Sequence, residues 1–205
     1  MFLRSKWLLI SGILITISSV APAEEGMWTF DNPPTQLLQK QYNFTPTKQW
    51  LDHVRLSSVR LNDGGSGSFV SPNGLLLTNH HVARGQLQKA STPEHDYIRD
   101  GFYAESPSQE MKSTDLEVNV LQTMENVTDR VQAAIKDISG QKQAYEARQR
   151  VFAQIESESL KNTGLRSDVI SLYQGGEYWL YTYKKYTDVR LVFAPEQQKI
   201  GRAHV

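Results

Sequence analysis

The sequence predicts a mainly β domain with one helical pair inserted in it, and three features carry that reading. Short apolar runs bounded by Gly, Pro and Asn recur, as in Ser68-Phe69-Val70 and Leu75-Leu76-Leu77-Thr78. Leu116, Val118 and Val120 alternate with Asp115, Glu117 and Asn119, the period of a strand that faces a core on one side. Helical periodicity is confined to about 124–160.

The elements follow in order. Arg4 and Lys6 precede an apolar stretch, 7–20, that ends in Ala21-Pro22-Ala23, which reads as a secretory signal peptide over 1–23. The stretch is shorter than the roughly 20 apolar residues a bilayer span needs and is broken by Ser11, Gly12, Ser18 and Ser19. An exported protein without a membrane span after cleavage is the expectation, in the periplasm or associated with the cell envelope. The domain proper is 24–199. Pro33-Pro34 and Pro46 exclude long regular elements early in it, a short helix is predicted over 48–54, and a strand near 55–61. Asn62-Asp63-Gly64-Gly65 then makes a turn, and Ser71-Pro72-Asn73-Gly74 joins the next two strands in a tight hairpin. A helical turn over 83–89 and an exposed loop over 91–109 follow.

Val127, Val131, Ala134, Ile135 and Ile138 share one helical face until Ser139-Gly140 stops it. A second helix, 142–160, carries Ala144, Ala147, Val151 and Ile155 on its own stripe. "GGEYWLYTYKKYTDVRLVFAPE" returns to strand, being rich in aromatic and β-branched residues. The final six residues, 200–205, match what one reading frame of a common sequencing-library adapter encodes. They are expected to be read-through, with the natural chain continuing beyond Lys199 and His204 carrying no chemistry.

Composition narrows the chemistry. The 22 Lys and Arg balance 22 Asp and Glu, so no bulk charge argues for nucleic acid as a partner. Cysteine is absent, which removes disulfides and thiol nucleophiles. Attention falls on His80-His81, at the end of an apolar strand. Adjacent residues of an extended segment face opposite ways, so the two rings cannot chelate one metal. His53 and His95 are isolated and read as surface residues. A histidine carried on a rigid strand yet open to solvent suits a general base, because imidazole titrates near neutral pH.

The lead-in sharpens the assignment. A Gly-Ser-Gly segment, a strand, a Gly-terminated turn, an apolar strand and Thr78-Asn79-His80-His81-Val82-Ala83 resemble the surroundings of the general base in chymotrypsin-like serine peptidases. Aligned on Thr78, that base is His81. Together with Glu25-Gly26-Met27-Trp28 and "YWLYTYKKYTDVRLVFAPE", the chain from 24 to 199 resembles the bacterial dipeptidyl-peptidase 7 and dipeptidyl-peptidase 11 family of exported serine dipeptidyl aminopeptidases. One departure is Val82, where the family often has Cys; the position is one of small packing residues.

The resemblance implies the first part of a double β-barrel, an activity that releases dipeptides from the free N-terminus of peptides, no cofactor, and a homodimer among the full-length assemblies it allows. It implies that His81 takes the proton of a serine hydroxyl and returns it to the leaving amine, while an aspartate orients the imidazole. The family's Asp and Ser come later in chain order than residue 199, and Asp63, Asp96, Asp168 and Asp188 match none of its motifs. Each reads as a turn or strand-end residue. The 205-residue chain alone is therefore expected to be inactive and, with a bare sheet edge, to aggregate. Two rivals remain: a Deg-type endopeptidase, which shares Thr-Asn-x-His-Val but lacks the "EYWLYTYKKY" stretch and the helical pair, and a catalytically dead periplasmic binding module.

Overall fold

The computed structural model describes Gly26 and residues 28–197, so the expected signal peptide and the adapter-like tail lie outside the described residues. The chain divides into two units, Met1–Pro33 and Pro34–Val205. The described part of the first is a tight turn in which the Asn32 N–H donates to the Thr29 carbonyl over 3.1 Å.

The second unit begins with α1 (Thr35–Tyr42) and α2 (Lys48–Ser57), the latter capped by the Thr47 hydroxyl, which accepts from the Trp50 N–H at 3.1 Å. Helix α2 starts where the sequence places it but runs a turn further, so β1 (Ser58–Leu61) begins three residues late. The extra turn has a physical use. It carries Arg55 to the carbonyls of Leu121, at 2.7 Å, and Gln122, where the neighbouring strand β6 (Val118–Asn126) bulges between Leu121 and Thr123. A bulge leaves ladder groups unpaired, and a guanidinium has donors enough to satisfy both.

After β1 come β2 (Ser66–Phe69), β3 (Leu76–Thr78) and α3 (His80–Ala90). The segment 91–109, read from sequence as loop, holds α4 (Tyr97–Asp100), β4 (Phe102–Tyr103) and a 3₁₀ turn, Pro107–Gln109. Elements of two to four residues are too short to show a period. Then come β5 (Met111–Ser113) and β6. The expected helical pair follows as α5 (Thr128–Ile135) and α6 (Gln141–Thr163), with Ile138 lying beyond the end of α5. Strands β7 (Arg166–Leu172), β8 (Glu177–Tyr186), β9 (Val189–Leu191) and β10 (Phe193–Ala194) complete the described chain.

Six strands form one antiparallel sheet in the order β3-β2-β1-β6-β8-β7, and β4–β10 and β5–β9 form two short ribbons. The mainly β architecture with an inserted helical pair is therefore the observed one. One core cluster gathers Val59, Leu61, Leu116, Val118 and Val120, with Phe69, Leu76, Val82 and Val189 packed against it. A second joins the helical pair to the sheet through Val127, Val131, Ile155, Val169, Tyr178 and Leu180. Strand β6 departs from its predicted one-sided burial, since Asn119 is buried as well and its Oδ1 has no hydrogen-bond partner among the described residues.

Helix α6 also closes an edge. The Val169 N–H of edge strand β7 donates to Glu156 Oε1 at 2.8 Å, and the buried Ser159 and Ser167 hydroxyls meet at 2.7 Å. A strand edge covered by a helix no longer offers a template for pairing. At the opposite edge, β3 leaves Leu77 59% exposed and the preceding Leu75 46% exposed.

The far end of α3 is tethered at Asp115, which accepts from Gln86 Nε2 at 3.2 Å and from the Lys89 ammonium. The Lys89 bond, aided by Gln86, holds the Asp115 carboxyl below its ordinary value. A carboxylate with a depressed folded pKa stabilises above its unfolded value, about 4, and loses that contribution as pH falls through the folded one. The pair is exposed, so the effect is local fraying rather than global unfolding. The protection factors of the amides in the last turn of α3, which correct for the intrinsic pH dependence of exchange, are expected to fall on acidification below about pH 4, and Asp115→Asn is expected to show the lower protection already at neutral pH with the acid step gone. The phase of α6 gives a second expectation. Ile155→Ala, at a residue 2% exposed, should cost about 2–5 kcal/mol in urea unfolding, whereas Leu160→Ala, at 53% exposed, should stay within about 0.5 kcal/mol of the parent.

Candidate active site

The site is built from the β2–β3 hairpin upward. Gly67 pairs with Thr78, Ser68 with Leu77 and Phe69 with Leu76. The connecting turn closes with the Val70 N–H donating to the Leu75 carbonyl at 2.8 Å and the Leu75 N–H to Ser71 Oγ at 3.1 Å. Gly74 sits at φ +86°, a backbone region that glycine enters without a Cβ penalty. Alternation along the hairpin sends Phe69 and Leu76 into the core and Leu77 outward. At the top of β3 the Thr78 hydroxyl donates to the Ser66 carbonyl at 2.7 Å, a cross-strand tie directly below the histidines.

Here the structure corrects the sequence reading. His80 and His81 are not in an extended segment; they are the first two residues of α3. Asn79 is the N-cap, in extended conformation, and its carbonyl accepts from the N–H groups of Val82 at 3.0 Å and Ala83 at 3.3 Å. The signal for this was present, because Asn is among the preferred N-cap residues, but no capping box or acidic first turn reinforced it. Consecutive helical residues point about 100° apart, so the pair still does not converge on one point. Among the described residues no group of three His, Cys, Asp or Glu could hold a metal.

His80 is half-buried and His81 exposed. Neither ring makes a hydrogen bond or ion pair among the described residues, so the place of His81 is set by its backbone and its orientation is free to answer a partner. Val82, the next residue, turns back into the core beside Phe69 and Leu76. The histidine is thus carried on a helix start whose lower side is packed and whose upper side is open.

The four weighed aspartates do not join it. Asp63 is exposed in the β1–β2 turn. Asp96 caps α4, accepting from the N–H groups of Ile98 and Arg99. Asp188 lies in the β8–β9 turn, bonded through both oxygens to Arg190. Asp168 departs from its reading as a turn or strand-end residue. It is the third residue of β7, a strand that the sequence reading missed because Arg166, Ser167 and Asp168 mask its apolar half. Its carboxylate lies between Arg166, at 3.3 Å, and Arg60, at 3.6 Å. These groups line a small cleft of about 100 Å³ with Asn62, Asn119 and Tyr183. Burial pushes the Tyr183 phenol up, partly offset by Arg60. A carboxylate satisfied by two guanidiniums and a neutral phenol form a structural polar network without a nucleophile.

Comparison with known proteins gives this arrangement its context. The family model described as Peptidase S46 matches residues 23–202. The chain is 31% identical over 196 residues to dipeptidyl-peptidase 7 of Capnocytophaga gingivalis, covering 92% of this chain and 27% of that protein. It is 32% identical over 205 residues to the Asp/Glu-specific dipeptidyl-peptidase of Porphyromonas gingivalis, covering 94% and 28%. The chain thus spans about a quarter of the length of these curated relatives. Among solved structures, Porphyromonas endodontalis DPP11 in complex with the dipeptide Arg-Glu superposes with a TM-score of 0.69 at 26% identity, covering 84% of this chain and 26% of that one. The same enzyme with Arg-Asp superposes with a TM-score of 0.71 at 27% identity, covering 84% and 26%. The strand-rich sheet with its helices is thus shared with an S46 peptidase, consistent with the amino-terminal part of a double-barrel fold. Matched over nearly its whole length by one family model and by relatives that carry the same fold, the chain belongs to the peptidase S46 family.

Proposed function

We propose that the full-length protein is an exported serine dipeptidyl aminopeptidase that releases dipeptides from the free N-terminus of peptides, with His81 as its general base. The observation that carries this is the placement of His81 in a chain of the S46 family: exposed, without a hydrogen-bond partner among the described residues, and mounted on a helix start fixed by the β2–β3 hairpin. In the proposed step an imidazole nitrogen takes the proton of a serine hydroxyl as its oxygen attacks the scissile carbonyl. The same nitrogen then gives that proton to the departing amine, and a carboxylate on the other nitrogen fixes the tautomer. The serine and the carboxylate of this step are assigned to no described residue of the chain, which spans about a quarter of the length of its curated relatives. The dipeptides bound in the P. endodontalis relative support a peptide as substrate. Export rests on the signal-peptide reading of 1–23, with its apolar stretch at 7–20; among the described residues no helix is long and apolar enough to cross a membrane.

In the full-length protein, His81→Gln is expected to lower kcat by about 10⁴ to 10⁶ with KM little changed, since the members of such a triad act as a unit. Retention of activity would remove His81 from the reaction. Peptides with a free amino terminus are expected to yield dipeptides, seen by mass spectrometry of the products, while their N-acetylated forms stay intact. Internal cleavage of an N-blocked protein would favour a Deg-type endopeptidase instead.

A further inference from the structure

Gly65 occupies the end of the β1–β2 turn, and its backbone is fixed, since its carbonyl accepts from the Leu61 N–H at 2.8 Å. It is absent from the glycines with positive φ, so its backbone conformation does not call for glycine. Space does. A Cβ at this position would lie 2.2 Å from Val82 Cγ1 and 2.8 Å from Cγ2. Carbon atoms do not approach so closely, so either the Val82 side chain or the helix that carries it must move.

Val82 has nowhere to go inward. Its side chain packs against the cluster of Val59, Leu61, Leu116, Val118 and Val120, whose members are each 8% exposed or less. Its N–H is committed to the Asn79 carbonyl at 3.0 Å, which closes the first turn of α3. Packed interiors do not absorb an extra methyl group without shifting backbone. Val82 itself is only half-buried, so the clash is relieved outward, through the peptide that links Val82 to His81.

We propose that Gly65 is a positioning residue for His81: the absence of a side chain there lets Val82 seat in the core, and the seated Val82 sets the height of the first helical turn and so of the imidazole. The inference rests on the reading of His81 as the general base and adds the contact that aims it. His81 makes no side-chain bond of its own among the described residues, so this backbone anchoring is what places the ring before a substrate arrives. The contact is also reciprocal in volume: a methyl added at 65 and two methyls removed at 82 compensate each other.

The test is a double-mutant cycle in the full-length protein, read as kcat, KM and melting temperature for Gly65→Ala, Val82→Ala and the two combined, with Gly85→Ala as control. Gly85 lies on the same helix with nothing within 4 Å of a Cβ, so its variant should keep parental kinetics. Displacing a reacting group by about 1 Å costs on the order of 100-fold. Gly65→Ala is therefore expected to lose about 10- to 100-fold in kcat with KM within about twofold of the parent. The combined variant should recover to within about fivefold, because the new methyl fills the space that Val82→Ala vacates. Parental kcat in Gly65→Ala, or a combined variant that melts like the parent yet stays as slow as Gly65→Ala, would overturn the proposal. Should Gly65→Ala fail to fold, Val82→Ala reads the contact from the other side: reduced kcat with unchanged KM supports the proposal, and full activity overturns it. An inactive His81→Gln beside an unimpaired Gly65→Ala would sink only this inference, whereas an active His81→Gln would sink the assignment beneath it.

Discussion

The pairing of β2 with β3 is the constraint on which the rest depends. Its register places Thr78 opposite Gly67 and lets the Thr78 hydroxyl reach the Ser66 carbonyl at 2.7 Å. A slip of one residue would exchange the two faces of the hairpin, sending Leu77 into the core in place of Leu76. It would also shift the point at which the chain leaves the sheet for α3. The His81 ring, which makes no hydrogen bond or ion pair among the described residues, takes its position from this register, through Asn79 and the first turn of the helix. That division of labour suits a proton carrier: main-chain bonds give a fixed origin, and a free side chain meets whatever partner arrives.

The remainder of the chain supports that mount from two directions. On the core side, Val59 and Leu61 of β1 pack with Val118 and Val120 of β6, so the strand next to the hairpin is held by the longest pairing in the sheet, that of β6 with β8. Arg55 secures the bulge in β6 by taking up the carbonyls of Leu121 and Gln122. On the far side, the helical pair contributes its own core and seals the β7 edge through Glu156. The edge next to the histidines is left differently, with Leu75 and Leu77 facing outward.

Much of this was legible in the residues, and the parts that were not share a cause. Long elements with a single dominant period could be read, such as the α6 stripe of Ala147 and Ile155 or the Leu116, Val118 and Val120 face. Elements whose pattern comes from partners could not. Strand β7 opens with Arg166-Ser167-Asp168, which reads as a polar turn until Arg60 and Glu156 are brought to it from distant positions. The third turn of α2 exists because Arg55 has carbonyls to reach 66 and 67 residues away. The histidine pair was placed on the wrong element. An apolar strand leading to His80 looks extended up to the last residue, and only the Asn79 carbonyl reveals that a helix has begun. The proposal of His81 as the general base does not depend on which element carries it, since it follows from the spacing after Thr78.

The most direct measurement is to treat the full-length protein with a dipeptidyl chloromethyl ketone bearing a free amino terminus and to map the adduct by peptide mass spectrometry. Such a reagent binds as substrate and alkylates the imidazole nitrogen nearest the scissile position, reporting proximity rather than the effect of a substitution. The account requires loss of activity in step with a single alkylation on His81. Complete inactivation with His81 unmodified, or with the label on His80, would contradict it.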